Sequence, residues 1–403
     1  MTIGSRRFRS RVSRLRRGLS LIEVMFAIGV VMIGLLGIAV LIPIAGKAAR
    51  DGVSMDRASR AGMNAVREFH VREMSNPRTW RYPDHQTVVP TNALNPNPFN
   101  NTIAYCLDPR FVALNNNNSL PANAASRFFP YTSTLASLPA APRMKRISMR
   151  AWYASSNAFG VMGQAAADEI FVALDDLEIN APIDPQLPAE QVFYNLDPVN
   201  PDKRQSRGEF SWMATIAPRN DGTSGTGSDQ SNYILSIVVF QGRDAGMPMD
   251  DVSERWAIIP FTMSGAAITA NGFYSGGIAG GDVMLVDKAL AFQLAGVAGP
   301  APSPADLAVK RGQWIMLARN SAVGPMYRWY KVTEVDPDEA GITTSAELLG
   351  TAPPSGFAGR HVTLSGQDWT FDPLNQTLAY IVPGVVAVYE KSIRLETSSL
   401  WTQ

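Results

Sequence analysis

The sequence predicts an α+β protein, one long N-terminal helix followed by a β-rich globular head. Three observations carry that expectation. Val24 to Gly46 is an apolar run without a charged side chain. Lys47 to Met74 continues it with strong helix formers and apolar residues at helical spacing. After Pro77 the chain changes to short apolar or alternating runs separated by Gly, Pro and Asn, the pattern of strands and turns. A chain of 403 residues has length for roughly two to three domains.

The first helix divides into two halves. Val24 to Gly46 has no polar face. At the standard rise it spans roughly 34 Å, enough to cross the hydrocarbon core of a bilayer. Gly29, Gly34 and Gly37 would let neighbouring helices approach closely in lipid, and Pro43 is expected to kink or loosen the outer end. The outer half places Val53, Ala58, Ala61, Ala65, Phe69 and Met74 on one face, and Ser75-Asn76-Pro77 supplies a stop. The helix is therefore expected from Leu19 to about Ser75, inside a segment 19–76 whose membrane part is 24–46.

Arg6, Arg7, Arg9, Arg11, Arg14, Arg16 and Arg17 precede Gly18 with no acidic residue among them. Such a flank stays cytoplasmic, so everything after Lys47 is expected on the outer side. Glu23 stands alone at the mouth of the apolar run. A carboxyl group in a membrane segment is costly, and it usually has a partner or snorkels to the interface. A cleaved secretory signal has a shorter apolar core than this one. A twin-arginine signal at Ser5-Arg6-Arg7 would need apolar residues where more arginines and serines follow. A plain single-pass anchor leaves the spacing of Gly18 and Glu23 without a reason.

Arg16-Arg17-Gly18-Leu19-Ser20-Leu21-Ile22-Glu23-Val24 resembles the class III signal of type IV prepilins and type II secretion pseudopilins. The longer match, Ser20 to Met25 with Ile33-Gly34-Leu35-Leu36-Gly37, is similar to the PilV-like minor prepilins called type IV pilus modification proteins. The resemblance covers about the first 60 residues. It implies that residues 1–18 are a leader, removed by a prepilin peptidase that cuts after Gly18 and methylates the new N-terminus at Leu19. The family usually has phenylalanine there, and leucine keeps a large apolar side chain. The resemblance further implies that Glu23, the fifth mature residue, neutralises the N-terminal amine of a neighbouring subunit and so sets the stagger between helices. The partners implied are the peptidase, other pilin or pseudopilin subunits and the bacterial inner membrane, with a pilus or pseudopilus filament as destination.

The head is read in two regions, 77–271 and 272–403. Residues 77–145 are rich in Pro, Asn and Ala and read as loops, with a strand at Thr102–Leu107. Further strands are expected at Ile147–Ser155, Glu169–Leu174, Phe210–Ile216 and Tyr233–Phe240. The last two form a hairpin across the glycine-rich loop 220–229, closing a sheet on the outer half of the helix. In the second region Asp282–Val286, Gln313–Ala318, Tyr327–Val335, His361–Leu364, Gln376–Tyr380 and Val385–Leu395 read as strands of a small barrel or sandwich.

Formal charge is +1, but the 36 basic side chains include the seven leader arginines, leaving 29 against 35 acidic in the body. That acidic body excludes nucleic acid as a main partner. Cys106 is the single cysteine, so no internal disulfide forms, and nothing nearby activates its thiol. No phosphate-binding, nucleophile-elbow, zinc-helix or dinucleotide motif occurs, and His70, His85 and His361 are scattered. Asp221 and Asp229 are weak candidates for calcium in a loop whose ordinary role is a hairpin tip. Asp336-Pro337-Asp338-Glu339 reads as a solvated turn, and the eight tryptophans are spread as core anchors rather than one sugar platform. No cofactor, resident metal or enzymatic activity is expected. The chain reads as a structural filament subunit; a pilin-stemmed adhesin or cargo-binding module is the alternative, ahead of a membrane-tethered enzyme.

Overall fold

Helix α1, Leu21–Val71, opens the computed structural model. The structure describes residues 20–84, 103–115, 127–138, 141–150, 160–173, 177–179, 204–206, 209–219, 232–246, 252–259, 282–321, 324–335, 341–343, 357–369, 371 and 375–395. Two units divide the chain, Met1–Asp56 and Arg57–Gln403. In the first, α1 runs through Pro43 as a continuous helix, and its large apolar side chains are exposed.

The second unit begins with the last turns of α1. They end four residues before the expected stop. The amides of Glu73 and Met74 donate to the carbonyls of His70 and Phe69, with Glu73 at a φ of 51°. This is a Schellman closure, and the hydrophobic pair that accompanies it, Phe69 and Met74, is fully buried. Asn76 then caps a 3-10 turn at Pro77–Thr79.

The remaining elements are β1 (Trp80–Arg81), β2 (Tyr105–Leu107), α2 (Pro109–Asn115), β3 (Phe128–Phe129), α3 (Ser133–Ser137), β4 (Met144–Met149), α4 (Gln164–Phe171), β5 (Leu177–Ile179), β6 (Arg204–Ser206), β7 (Phe210–Pro218) and β8 (Asn232–Gln241). They are followed by β9 (Arg255–Ile259), β10 (Asp282–Val286), α5 (Lys288–Leu294), β11 (Trp314–Ser321), β12 (Gly324–Val335), β13 (Gly341–Thr343), β14 (Phe357–Ser365), β15 (Thr377–Ile381) and β16 (Val385–Arg394). Among the described residues, strands β5 and β6 pair only with each other.

A mixed sheet has the order β1-β4-β2-β7-β8-β16, with β3 also on β4. Its β2–β4 pair is parallel and the others are antiparallel. Strand β7 is buried at every position, which a sheet covered on both faces requires. Phe210, Trp212, Ala214 and Ile216 share a core with Ala58, Ala61, Ala65 and Phe69 of α1. Met213 and Ala217 point the other way, into a core shared with Trp256, Met316 and Trp329.

Those three residues lie on the second sheet, a closed antiparallel barrel of six strands in the order β10-β9-β15-β11-β12-β14, with β14 returning to β10. The small β13 shares the β12 edge of β14. Alternation sorts the barrel side chains. Ala257, Ile259, Leu285, Leu317, Val332 and Ile381 belong to a core containing no residue of the mixed sheet, the barrel interior, which Leu307 and Val309 join. The opposite positions pack on the mixed sheet and on α5.

Of the barrel and sandwich alternatives, the barrel is the one formed. Its membership crosses the 271/272 division of the sequence: β9 belongs to the barrel, whereas β16 pairs with β8 in the mixed sheet. Of the strand expected at Glu169–Leu174, residues 169–171 are instead the end of α4, Val172 makes a single bridge to Ser211, and Leu174 lies outside the described residues. The helix wins because Gln164-Ala165-Ala166-Ala167 supplies strong helix formers upstream, and Ala167, Ile170 and Phe171 bury one helical face. Strand β2 takes up Tyr105–Leu107 of the run expected at Thr102–Leu107, with Ile103 and Ala104 ahead of it, and β4 takes up Ile147–Met149 of the run expected at Ile147–Ser155, with Arg150 in a single bridge to Val161; Thr102 and 151–155 lie outside the described residues, as do loop 220–229 and Asp336–Glu339.

Candidate functional site: the entry of the apolar stem

Ser20 is the N-cap of α1. Its carbonyl accepts from the amides of Glu23 at 3.0 Å and Val24 at 3.2 Å, and its Oγ accepts from the Glu23 amide at 3.3 Å. The spacing Ser-x-x-Glu is that of a capping box, and it puts the Glu23 carboxyl in the first turn, where the helix dipole favours negative charge. The spacing of Ser20 and Glu23 carries this signal in the sequence itself. Beyond the cap, Leu21 is 81% exposed and Ile33 is 75% exposed. Space is open around each of Gly29, Gly34 and Gly37, so these positions are notches in an apolar surface. Helix α1 is long and apolar enough to cross a membrane. Gly18 and Leu19, the expected cleavage pair, lie outside the described residues, as do Asp221 and Asp229.

A second cluster is buried in the head, and no sequence spacing announced it. Asp108 follows β2, Arg146 is on β4, Arg243 follows β8 and Glu254 precedes β9. Arg146 reaches Asp108 at 2.5 Å and Glu254 at 2.8 Å, while Arg243 reaches the same two carboxylates at 2.6 and 3.3 Å. Glu254 also accepts from the Tyr131 amide, and Arg146 lies 3.7 Å from the Phe111 ring centroid. Burial alone would push the Asp108 carboxyl up, but the guanidinium charges of Arg243 and Arg146 outweigh it and hold it below its ordinary value. Two cations against two anions leave no spare charge for a substrate. The quartet ties the mixed sheet to the first barrel strand.

The other candidate residues fall into structural settings. Cys106 is buried, and burial pushes its thiol well up, away from nucleophilic use. His70 is on the surface beside Lys391 at 3.1 Å, His361 is on β14, and His85 lies outside the described residues. Trp80, Trp212, Trp256, Trp329 and Trp369 are core anchors, Trp314 is half-buried, and Trp152 and Trp401 lie outside the described residues. Among the described residues no three His, Cys, Asp or Glu side chains gather as a metal site. No family model, curated protein or solved structure matches this chain.

Proposed function

We propose that this chain is a structural subunit, a prepilin-like minor pilin or pseudopilin, cut after Gly18 and assembled by helix packing into a type IV pilus or a secretion pseudopilus. The observation that carries the reading is the Gly18–Glu23 spacing at the entry of a helix whose apolar side chains are exposed on all sides. Leader arginines hold the cut site at the cytoplasmic surface, and a glycine before the scissile bond lets a peptidase approach the backbone. The new amine at Leu19 of one subunit then meets Glu23 of the next. Pairing the two offsets the cost of a carboxylate in lipid, while the cap at Ser20 holds Glu23 in place meanwhile.

The size of the head fits a minor or tip position, because a bulky head is hard to repeat densely along a filament. Intact-mass spectrometry of the membrane-extracted protein tests the reading. A methylated N-terminus at Leu19 is expected, and an intact Met1 in cells with active prepilin peptidase overturns it. Glu23→Ala should be processed normally yet enter filaments poorly.

A further inference from the structure

Strands β1 and β4 form one end of the mixed sheet, with Trp80 opposite Met149 and Arg81 opposite Ser148. The Arg150 amide donates to the Thr79 carbonyl at 2.7 Å, which carries this register one pair further. Trp80, Ile147 and Met149 belong to the core shared with α1. Alternation therefore puts Arg81, Ser148 and Arg150 together on the other face. Arg81 and Arg150 are diagonal neighbours there, a placement about 7–8 Å apart and within reach of long side chains. We propose that Arg81, Ser148 and Arg150 form a binding site for one dianionic phosphate group, held between the two guanidinium groups and the Ser148 hydroxyl.

The donors of this site are unspent. Arg81 is 4% exposed and Ser148 is 0% exposed. The Arg81 Nη1 donates to the carbonyls of Arg78 at 3.0 Å and Trp80 at 2.8 Å, which fixes the plane of the guanidinium. Its Nε and the Ser148 Oγ are buried with no hydrogen-bond partner among the described residues. A buried polar atom without a partner carries its full desolvation cost, which an acceptor oxygen from a ligand removes. Arg150 is exposed just past β4, so the patch reaches the surface on that side.

The charge is unspent as well. Burial, and after it the Arg150 charge, push the Arg81 guanidinium below its ordinary value, whereas a carboxylate beside it would act in the opposite direction. The described acids of the adjoining elements are held by other arginines: Asp108 and Glu254 in the quartet, Asp168 by Arg110 at 2.8 Å and Asp84 by Arg127 at 3.5 Å. Residues 85–102 and 151–159, which continue the chain beyond Asp84 and just past Arg150, contain no Asp or Glu. Two guanidinium charges match a phosphate, which carries about −1.5 to −2 near pH 7 and offers three strong acceptor oxygens. A carboxylate brings a single charge and leaves one guanidinium uncompensated.

The test is titration calorimetry on the full chain in phosphate-free maltoside micelles, at constant ionic strength so that screening does not change. The probes are inorganic phosphate, methyl phosphate and dimethyl phosphate. The first two should bind saturably at one site, and dimethyl phosphate, a monoanion, about tenfold or more weakly. Whichever of the first two binds more tightly names the source, a free ion or a phosphate ester, and either order supports the site. Arg150→Gln should weaken phosphate about tenfold or more, and Ser148→Ala about fivefold, the share of one hydrogen bond. Without phosphate the thermal midpoint of Arg150→Gln should not fall, because the change removes a cation beside Arg81. Four results overturn the proposal: no saturable phosphate binding below about 1 mM; equal phosphate binding by Arg150→Gln and the parent; equal binding of dimethyl phosphate; or a lowered midpoint in phosphate-free Arg150→Gln, which makes Arg150 structural. The site lies in the head, so none of these outcomes bears on processing at Gly18.

Discussion

The stem of α1 and strand β8 are built from the same residue types and end in opposite states. Ile237, Val238, Val239 and Phe240 are each 0% exposed, whereas Ile28, Val30, Val31 and Ile33 are all at least half exposed. Neither run has a polar face. In β8 the apolar positions are covered by protein on both sides, α1 on one face of its sheet and the barrel on the other. Among the described residues no protein covers the stem within its own unit. Uniform hydrophobicity thus specifies a segment that must be surrounded, without naming the surroundings. Length separates the two cases: a strand of ten residues fits inside a head, and a helix with an apolar half of over 30 Å is long and apolar enough to cross a bilayer.

The comparison breaks most sharply at the buried quartet, which only the head possesses. Asp108→Ala leaves Arg146 and Arg243 sharing one carboxylate in the interior, and should cost the head about 3–5 kcal/mol in denaturant unfolding. Stem insertion should not change. The same group sets an acid limit. Because its folded-state value is lowered, its stabilisation is complete above the ordinary 3.8 and is lost as pH falls through the lowered value. Thermal midpoints measured below pH 4 should fall in the parent chain, and this component should be missing in Asp108→Ala.

The stem should respond in the opposite way. Ile33→Asp places a charge midway along the apolar run, with an expected penalty of about 2.5–3.5 kcal/mol on membrane integration, read by carbonate extraction. The unfolding transition of the head should stay where it was. A loss of head stability in this variant would show that the two regions are not independent.

A smaller effect is expected where α1 meets β16. A Cβ on Gly62 would overlap the Tyr389 ring, so any larger residue there forces the ring or the helix to shift. Gly62→Val should cost about 1–3 kcal/mol through overpacking. Pairing it with Tyr389→Ala should recover part of the loss, a coupling that a double-mutant cycle measures.

How far the sequence revealed these features depended on whether their cause was local. The stem, the β7–β8 hairpin and most barrel strands follow from runs and turn residues that lie side by side in the chain. The quartet did not show, because Asp108, Arg146, Arg243 and Glu254 are far apart and each alone looks like a surface charge. Sheet membership was hidden for the same reason: no strand was expected at Arg255–Ile259, where β9 forms, and β16 looks like any other strand, while only long-range pairing sends one to the barrel and the other to the mixed sheet. Helix α5 was legible in principle, since Asp287 and Gly296 are ordinary start and stop residues around Lys288–Leu294. The stem entry is the mixed case: the isolation of Glu23 in an apolar run is legible in the sequence, while its cap at Ser20 shows in the hydrogen bond to the Glu23 amide.

The smallest expected effect lies at the C-terminal end of α1. Glu73 occupies the left-handed position of the Schellman closure, where a side chain is disfavoured by about 1–2 kcal/mol and glycine is not. Its carboxylate also sits next to the negative end of the helix dipole. Glu73→Gly should therefore stabilise the head by about 1 kcal/mol, part of the relief being returned as extra entropy of the unfolded chain. Glu73→Ala removes the charge but keeps the Cβ, so it should recover only the electrostatic share of a few tenths of a kcal/mol. Equal gains from both variants would assign the strain to charge rather than to backbone, and no gain from either would mean that the buried Phe69–Met74 contact fixes this turn whatever residue stands at 73.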